Sequence, residues 1–315
     1  MSVAFILGQK NLNYDPAGLI ALYEQCPAVR DIYTSVGQWS GHDPQLLVRG
    51  SEDPAVRART NSLGLAAAML GIADVLRERG VRPAVVGGIS LGAMVAAALA
   101  GAAPRRQVVE LLAGTAEDDG PQDPARPEGC VAAVLPLGQT YEEFYGTRPG
   151  VWFGGDFGMH TSGAFRMLLL SGYRDALEEL AAGYPAEYFV FSDEHVAVHC
   201  PLRHRARDEV ARRTAAMDFT DPVVPMCSSL EPRELHSAAL VRAEFSRNVV
   251  EPVRTDHLSD RMRRLGVRLG VVLGPTLPRD GFEFPFPVVY VDAPEHVDQA
   301  VAAVGEHEAL QSLKG

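Results

Sequence analysis

The stretch Ala84-Val-Val-Gly-Gly-Ile-Ser-Leu-Gly-Ala-Met-Val-Ala-Ala-Ala-Leu-Ala-Gly101 sets one serine, Ser90, between two glycines, where a short apolar run gives way to an alanine-rich segment. Gly-x-Ser-x-Gly between a strand and a helix describes a tight turn. Only glycines leave room there for neighbouring backbone, and the hydroxyl faces outward beside the amide of the next residue, here Leu91. The N-terminus of the following helix adds partial positive charge where an oxyanion would form. Read this way, 84–87 is a strand, 91–100 a helix and Ser90 a candidate nucleophile. The alternative is a glycine-rich strand-to-helix turn with a structural serine. No histidine or carboxylate lies within ten residues of Ser90, so a base would have to come from distant chain.

Outward from the turn, apolar runs alternate with helical patterns. Ser2 to Leu7 reads as a strand, 16–25 and 28–36 as helices, and Ser62 to Arg79 as an apolar, alanine-rich helix. The β-α-β-α order implies a parallel sheet flanked by helices. From Cys130 the pattern changes to strand (131–137), helix (141–145), strand (150–153), strand (165–171), helix (174–182) and strand (187–192). That β-α-β-β-α-β set is the ferredoxin-like arrangement. The parallel pattern resumes at 223–228 and 268–273, so the small unit is inserted into the large one. The Pro/Gly/Asp-rich stretch Asp118–Gly129 reads as the linker at its start. The expected class is α/β, with a large subdomain in two parts (1–127 and 197–315) interrupted by a ferredoxin-like subdomain (128–196).

Composition excludes several functions. A chain of 315 residues can bury roughly three quarters of its unfolded surface. The formal charge of −11 argues against binding nucleic acid, which needs surplus Lys and Arg on one face. Cys26, Cys130, Cys200 and Cys227 show no paired spacing, so free thiols in a reducing compartment are expected and a zinc or other metal site is not. No run approaches the length of a membrane span, and the first fifteen residues lack a basic leader and a signal core. A cytoplasmic location without membrane contact is expected.

Among nine histidines, His199 in Val196-Ala-Val-His-Cys-Pro-Leu-Arg-His204 is best placed to serve as base, because it sits where the inserted unit hands the chain back to the larger subdomain. His257 and His296 would be the candidates if the order were Ser, Asp, His, as in ordinary α/β-hydrolases.

Five segments in order carry a resemblance. Leu7-Gly8-Gln9 resembles a Pro-Gly-Gln segment, and Thr60-Asn61-Ser62 a Thr-Gln-Pro segment. Gly88 to Gly92 resembles Gly-His-Ser-x-Gly, Val198-His-Cys-Pro-Leu202 resembles Phe-His-Ser-Pro-Leu, and Asn248-Val-Val-Glu-Pro-Val-Arg254 resembles Asn-Leu-Arg-x-Pro-Val-Arg. Together they resemble the malonyl-CoA:acyl-carrier-protein transacylases and the acyltransferase domains of polyketide synthases. The resemblance implies an α/β-hydrolase-like large subdomain interrupted by a ferredoxin-like one, and a Ser90–His199 dyad. The imidazole would be oriented by a main-chain carbonyl near Asn248, and the amides of Gln9 and Leu91 would form the oxyanion hole. It further implies no permanently bound cofactor, with the phosphopantetheine of an acyl carrier protein, or CoA, arriving as substrate.

The departures concern the cargo. In malonyl-specific members an arginine on the helix after the elbow helix forks onto the acyl carboxylate; that position falls at about Thr115. No Arg or Lys occurs from Gln107 to Ala125. Burying a carboxylate without a cation costs several kcal/mol. Ile89 and Ala93 replace a histidine and a glutamate of the pattern, and Val196 and Val198 sit in an altered specificity motif. These changes imply an apolar acyl pocket built from Ile89, Thr115, Val196 and Val198. The chain resembles the stand-alone acyltransferases of secondary metabolism, including antibiotic pathways. The expected cargo is a non-malonyl, uncharged or aminoacyl group. The alternatives are a hydrolase that edits acyl-carrier thioesters, a malonyl enzyme with a relocated carboxylate-binding residue, and a noncatalytic carrier-binding subunit. Carrier proteins are acidic, so docking on an acidic chain calls for basic patches. Arg203, Arg205 and Arg207, and a second cluster of Arg261, Arg263 and Arg264, are the candidates; each could equally be a solvated helix face.

Overall fold

A computed structural model describes residues 2–11, 13–117, 125–193, 195–279 and 281–312. The chain runs β1 (Val3–Leu7), α1 (Ala17–Gln25), α2 (Pro27–Ser40), α3 (Pro44–Arg49), α4 (Pro54–Glu78), β2 (Val85–Gly88), α5 (Leu91–Leu99) and α6 (Arg105–Glu117). It continues through β3 (Glu128–Pro136), α7 (Tyr141–Phe144), β4 (Val151–Met159), β5 (Phe165–Tyr173), α8 (Arg174–Ala181) and β6 (Phe189–Phe191). It ends with α9 (His204–Thr214), β7 (Met226–Cys227), α10 (Ala238–Val250), β8 (Val253–Arg254), α11 (Thr255–Arg264), β9 (Leu269–Leu273), β10 (Val288–Val291) and α12 (Pro294–Ser312).

Every residue of β1, VAFIL, is buried, as a central strand of a parallel sheet must be when helices cover both faces. The first sheet has the order β10-β9-β1-β2-β7, parallel throughout. One of its faces packs against the apolar sides of α2, α4, α5 and α6 through Leu70, Leu91, Val95 and Val109. Its other face packs under α11 through Leu258 and Met262. The second sheet has the order β6-β3-β5-β4-β8. Its four inserted strands are antiparallel in the 4-1-3-2 order of the ferredoxin-like motif. They fold over α8 on a separate core that includes Val131, Leu170 and Leu177. The fifth strand, β8, belongs to the larger unit and joins β4 in parallel.

Several boundaries differ from expectation. The helix expected from Ser62 starts at Pro54, because the Asp53 carboxylate caps it by accepting from the Ala55 amide at 2.8 Å and Pro54 occupies its first turn. The strand expected at 150–153 is longer. Strand β4 continues to Met159 and absorbs its glycines as register shifts at Phe153/Gly155 and Asp156/Gly158. The last inserted strand is short, since Pro185 starts a 3₁₀ turn over Ala186–Tyr188. Of the expected linker, 118–124 lies outside the described residues, and Glu128–Gly129 already belong to β3.

Candidate active site

Among the described residues only two non-glycine residues have positive φ: Ser90 at 56° and His199 at 53°. Such a backbone costs on the order of 1–3 kcal/mol per residue and persists only where its surroundings impose it. At Ser90 (ψ −118°) they do. A Cβ on Gly88 would lie 2.2 Å from the backbone of Gly92, and one on Gly92 would lie 2.2 Å from the Leu7 carbonyl oxygen. Gly92 lets β1 close against the turn and Gly88 lets the turn fold back on its own backbone, and the Ile89 amide fixes the closure by donating to the Leu7 carbonyl at 2.9 Å. Ser90 precedes α5 without capping it, so its hydroxyl is left for other work.

His199 arrives from the other unit. The amides of Ala197 and Val198 donate to the Glu128 carboxylate (3.3 Å) and the Ser171 hydroxyl (3.4 Å) of the small sheet. Pro201 then opens a 3₁₀ turn over Pro201–Arg203 that leads into α9. His199 lies well beyond the last inserted strand: β6 stops at Phe191, and an irregular crossing carries the imidazole in. Its Nε2 lies 3.0 Å from Ser90 Oγ. The imidazole is buried, and burial pushes its pKa down to about 4 against the opposing pull of the Asn248 and Glu251 carbonyls. A neutral ring can accept the serine proton. Among the described residues His199 Nδ1 completes no hydrogen bond, so the orienting main-chain carbonyl expected near Asn248 is not met as a bond; Asn248 holds the site through its side chain, whose Nδ2 donates to the Ser90 carbonyl at 3.1 Å and ties α10 to the turn.

These groups open onto a cavity of ≈ 420 Å³ between the two sheets. Gln9, Leu91, Asn248, Thr115 and Val198 line it. Among the described residues, the backbone amides of Gln9 and Leu91 donate to no protein acceptor. Leu91 also heads a helix whose dipole favours negative charge at this end. Met94, Leu112 and Leu169 make part of the wall apolar. Thr115 faces the cavity with its hydroxyl already bonded to the Leu111 and Leu112 carbonyls.

Other expected site residues fall elsewhere. Ile89 lies wholly in the core under the sheet with Ile6 and Leu258, because the residue before an elbow serine points opposite to it. Val196 is not part of the cavity wall. Arg203 is not a surface docking residue: the 3₁₀ turn folds it inward, it is 4% exposed, and it lines the cavity. Arg261, Arg263 and Arg264 end α11, the helix that leads into the N-terminal end of β9. They therefore sit at the opposite edge of the parallel sheet from Ser90, which follows the C-terminal end of β2. Arg261 and Arg263 are paired there with Glu234 and Asp260. His257 Nδ1 donates to the Leu230 carbonyl at 3.0 Å, and His296 contacts Asp292; neither lines the cavity.

Cys26, Cys130, Cys200 and Cys227 form no disulfide. Among the described residues no cluster could hold a metal ion and no helix is long and apolar enough to cross a membrane.

No protein-family model matches the sequence, and no curated protein is detectably similar to it. Solved structures are. The malonyl-CoA:acyl-carrier-protein transacylase of Coxiella burnetii superposes with a TM-score of 0.83 over 96% of this chain and 97% of its own, at 20% identity. The chain has the transacylase fold. The acyl-carrier-protein S-malonyltransferase of Vibrio cholerae matches with a TM-score of 0.80 at 20% identity, over 95% of this chain and all of its own. A type II polyketide-synthase malonyl-transacylase, solved in complex with its acyl carrier protein, matches with a TM-score of 0.83 at 18% identity, over 96% and 100%. At such identities the likeness establishes the two-subdomain transacylase fold, and chemistry has to be argued from the residues.

Proposed function

We propose that the protein transfers an acyl group from a thioester donor, through an ester on Ser90, to the phosphopantetheine thiol of an acyl carrier protein. The observation that carries this reading is the 3.0 Å contact between Ser90 Oγ and His199 Nε2 inside a cavity large enough for a thioester arm. His199 removes the hydroxyl proton as Oγ attacks the thioester carbonyl. Collapse of the tetrahedral oxyanion expels the donor sulfur, which takes the proton back from the imidazolium. The second half runs in reverse: His199 deprotonates the incoming thiol, sulfur attacks the ester, and Oγ leaves with the proton. The Gln9 and Leu91 amides hold the oxyanion in both halves, each worth roughly 3–4 kcal/mol by analogy with serine hydrolases. A carrier protein as acceptor is inferred from the likeness to a transacylase held with its own carrier, and a place in polyketide or other secondary metabolism accords with it.

The test is an intact-mass measurement after exposure to a panel of acyl-pantetheine thioesters. An adduct is expected on the wild type, none on Ser90→Ala, and formation at least about 100-fold slower on His199→Ala. No adduct from any thioester overturns the proposal. Free acid as the sole product when a holo carrier protein is present would make the enzyme a hydrolase.

For the cargo we favour an uncharged acyl group. Met94, Leu112 and Val198 are apolar, and the hydroxyl of Thr115 is already committed. The expectation also rested on the missing cation of α6, and there the fold adds a fact: Arg203 brings a guanidinium into the same cavity from the start of α9. That observation favours a second reading, a carboxylated cargo of malonyl type held by a relocated arginine. Arg203→Gln separates the two. With an uncharged cargo, malonyl-pantetheine acylates Ser90 poorly and the variant leaves the preferred donor untouched. With a carboxylated cargo, malonyl-pantetheine is preferred and the variant slows its adduct about 100-fold, the equivalent of one charged hydrogen-bonding partner.

A further inference from the structure

Two helices reach the rim of the catalytic cavity with the same tripeptide. In α4 it is Arg57-Ala58-Arg59 and in α9 it is Arg205-Ala206-Arg207; both central alanines line the cavity. On a helix, neighbours of a cavity-lining residue diverge about 100° to either side, so each alanine is flanked along the rim by a pair of arginines. Arg59, Arg205 and Arg207 are exposed and Arg57 is half-buried. Arg207 is bonded to Asp208, whereas Arg57, Arg59 and Arg205 make no side-chain hydrogen bond or ion pair among the described residues. Arg57 also lines a smaller recess of ≈ 150 Å³ beside the main cavity.

The same rim carries Val190 on the edge strand β6, one of only three large apolar side chains left well exposed among the described residues, at 67%. Uncommitted cations and an exposed valine around one opening are unusual on a chain whose formal charge is −11. The carboxylates on the same lining are Asp193 and Glu209, and Glu209 is already bonded to Arg212 and Arg213, so the rim offers uncommitted cations that an acidic partner can complement. The two alanines set the direction of approach: a partner that neutralises these arginines stands over the cavity mouth, where a tethered arm can reach Ser90.

We propose that this rim, with Arg57 and Arg59 of α4 as its main determinants, is the docking surface for the acidic carrier protein that presents the arm. The proposal rests on the carrier-acceptor reading above and adds a footprint on α4. Rim charges act mainly on the association rate and its salt dependence.

The test compares the charge-reversed pair Arg57→Glu/Arg59→Glu with the wild type, using two acceptors for the acyl-enzyme: free pantetheine and the holo carrier protein of a bacterial fatty-acid synthase. Transfer to the carrier is expected to fall roughly tenfold or more in kcat/KM at low salt, with the loss shrinking as salt rises, while transfer to pantetheine stays as it was. A control pair at the far edge of the sheet, Arg263→Glu/Arg264→Glu, should change neither. Unchanged transfer to the carrier in the α4 variant overturns the footprint. Equal losses with both acceptors also overturn it, because the arginines would then be supporting the site rather than the partner. Failure of the wild type to acylate from any thioester would instead defeat the catalytic reading, a separate result seen before any acceptor is added.

Discussion

His199 combines burial, strain and contact with Ser90, and its protonation state decides whether the pair can work. The ordinary imidazole value is about 6.5; here burial brings it down to about 4. The ring is thus neutral and able to accept a proton across the whole range above that. The acid limb of the pH profile of kcat/KM, measured with pantetheine as acceptor, is therefore expected near pH 4 rather than between 6 and 7. A limb at the ordinary value would mean that water reaches the imidazole and that the desolvation argument is wrong. The same shift acts on stability. Between about 4 and 6.5 the unfolded chain binds the proton that the folded chain refuses, so the folded state loses stability as pH falls through that window and holds it fully above. Arg203 gives the opposite lesson. Four residues from His199, it looked like the head of a surface cluster, yet a single 3₁₀ turn made it part of the cavity wall. Sequence distance measures neither burial nor direction once a proline resets the backbone.

At the scale of elements, the sequence was legible wherever a local rule sufficed. The strand-turn-helix around Ser90 could be read because glycine is the only residue the turn admits at Gly88 and Gly92, and the structure gives the backbone contacts that make it so. The inserted unit could be read because its alternation of strands and helices is local, and the 4-1-3-2 strand order follows from that unit order. What could not be read depends on partners far along the chain. The two-residue strand β8 is too short to show a period and exists only because β4 offers an open edge, while β7 keeps two residues of the strand expected at 223–228. The cavity-lining position of Ala58 on α4 is similarly non-local. It depends on a helix start at Pro54, and the Asp53-Pro54 signal lies outside the apolar stripe that marks the rest of the helix. The oxyanion candidates Gln9 and Leu91 are 82 positions apart in the chain, and parallel pairing of Leu7 with Gly88 brings them to one cavity.

At the scale of the whole molecule, the cavity exists because two sheets are held in register across it, and β8 is the seam. It pairs Val253 with Gly155 and Arg254 with Asp156, so one strand of the large unit completes the sheet of the small one. Beside the seam, Arg166 of β5 bridges Asp156 of β4 at 2.7 Å and Asp256 of α11 at 3.3 Å. Asp156 is buried, and that guanidinium is the cation paired with its carboxylate. Arg166→Met should leave a buried carboxylate uncompensated and destabilise the fold by about 2–3 kcal/mol, somewhat below the usual loss for a broken buried pair because Arg166 itself is partly solvated. Urea denaturation gives that difference directly. If the energetic weight lies in the unpaired charge, the double variant Asp156→Asn/Arg166→Met should recover most of the loss. If the arginine matters instead as the clamp between the sheets, the double variant should stay as unstable as the single one, and acylation of Ser90 should fall with it, since Ser90 and His199 approach from opposite sides of the seam.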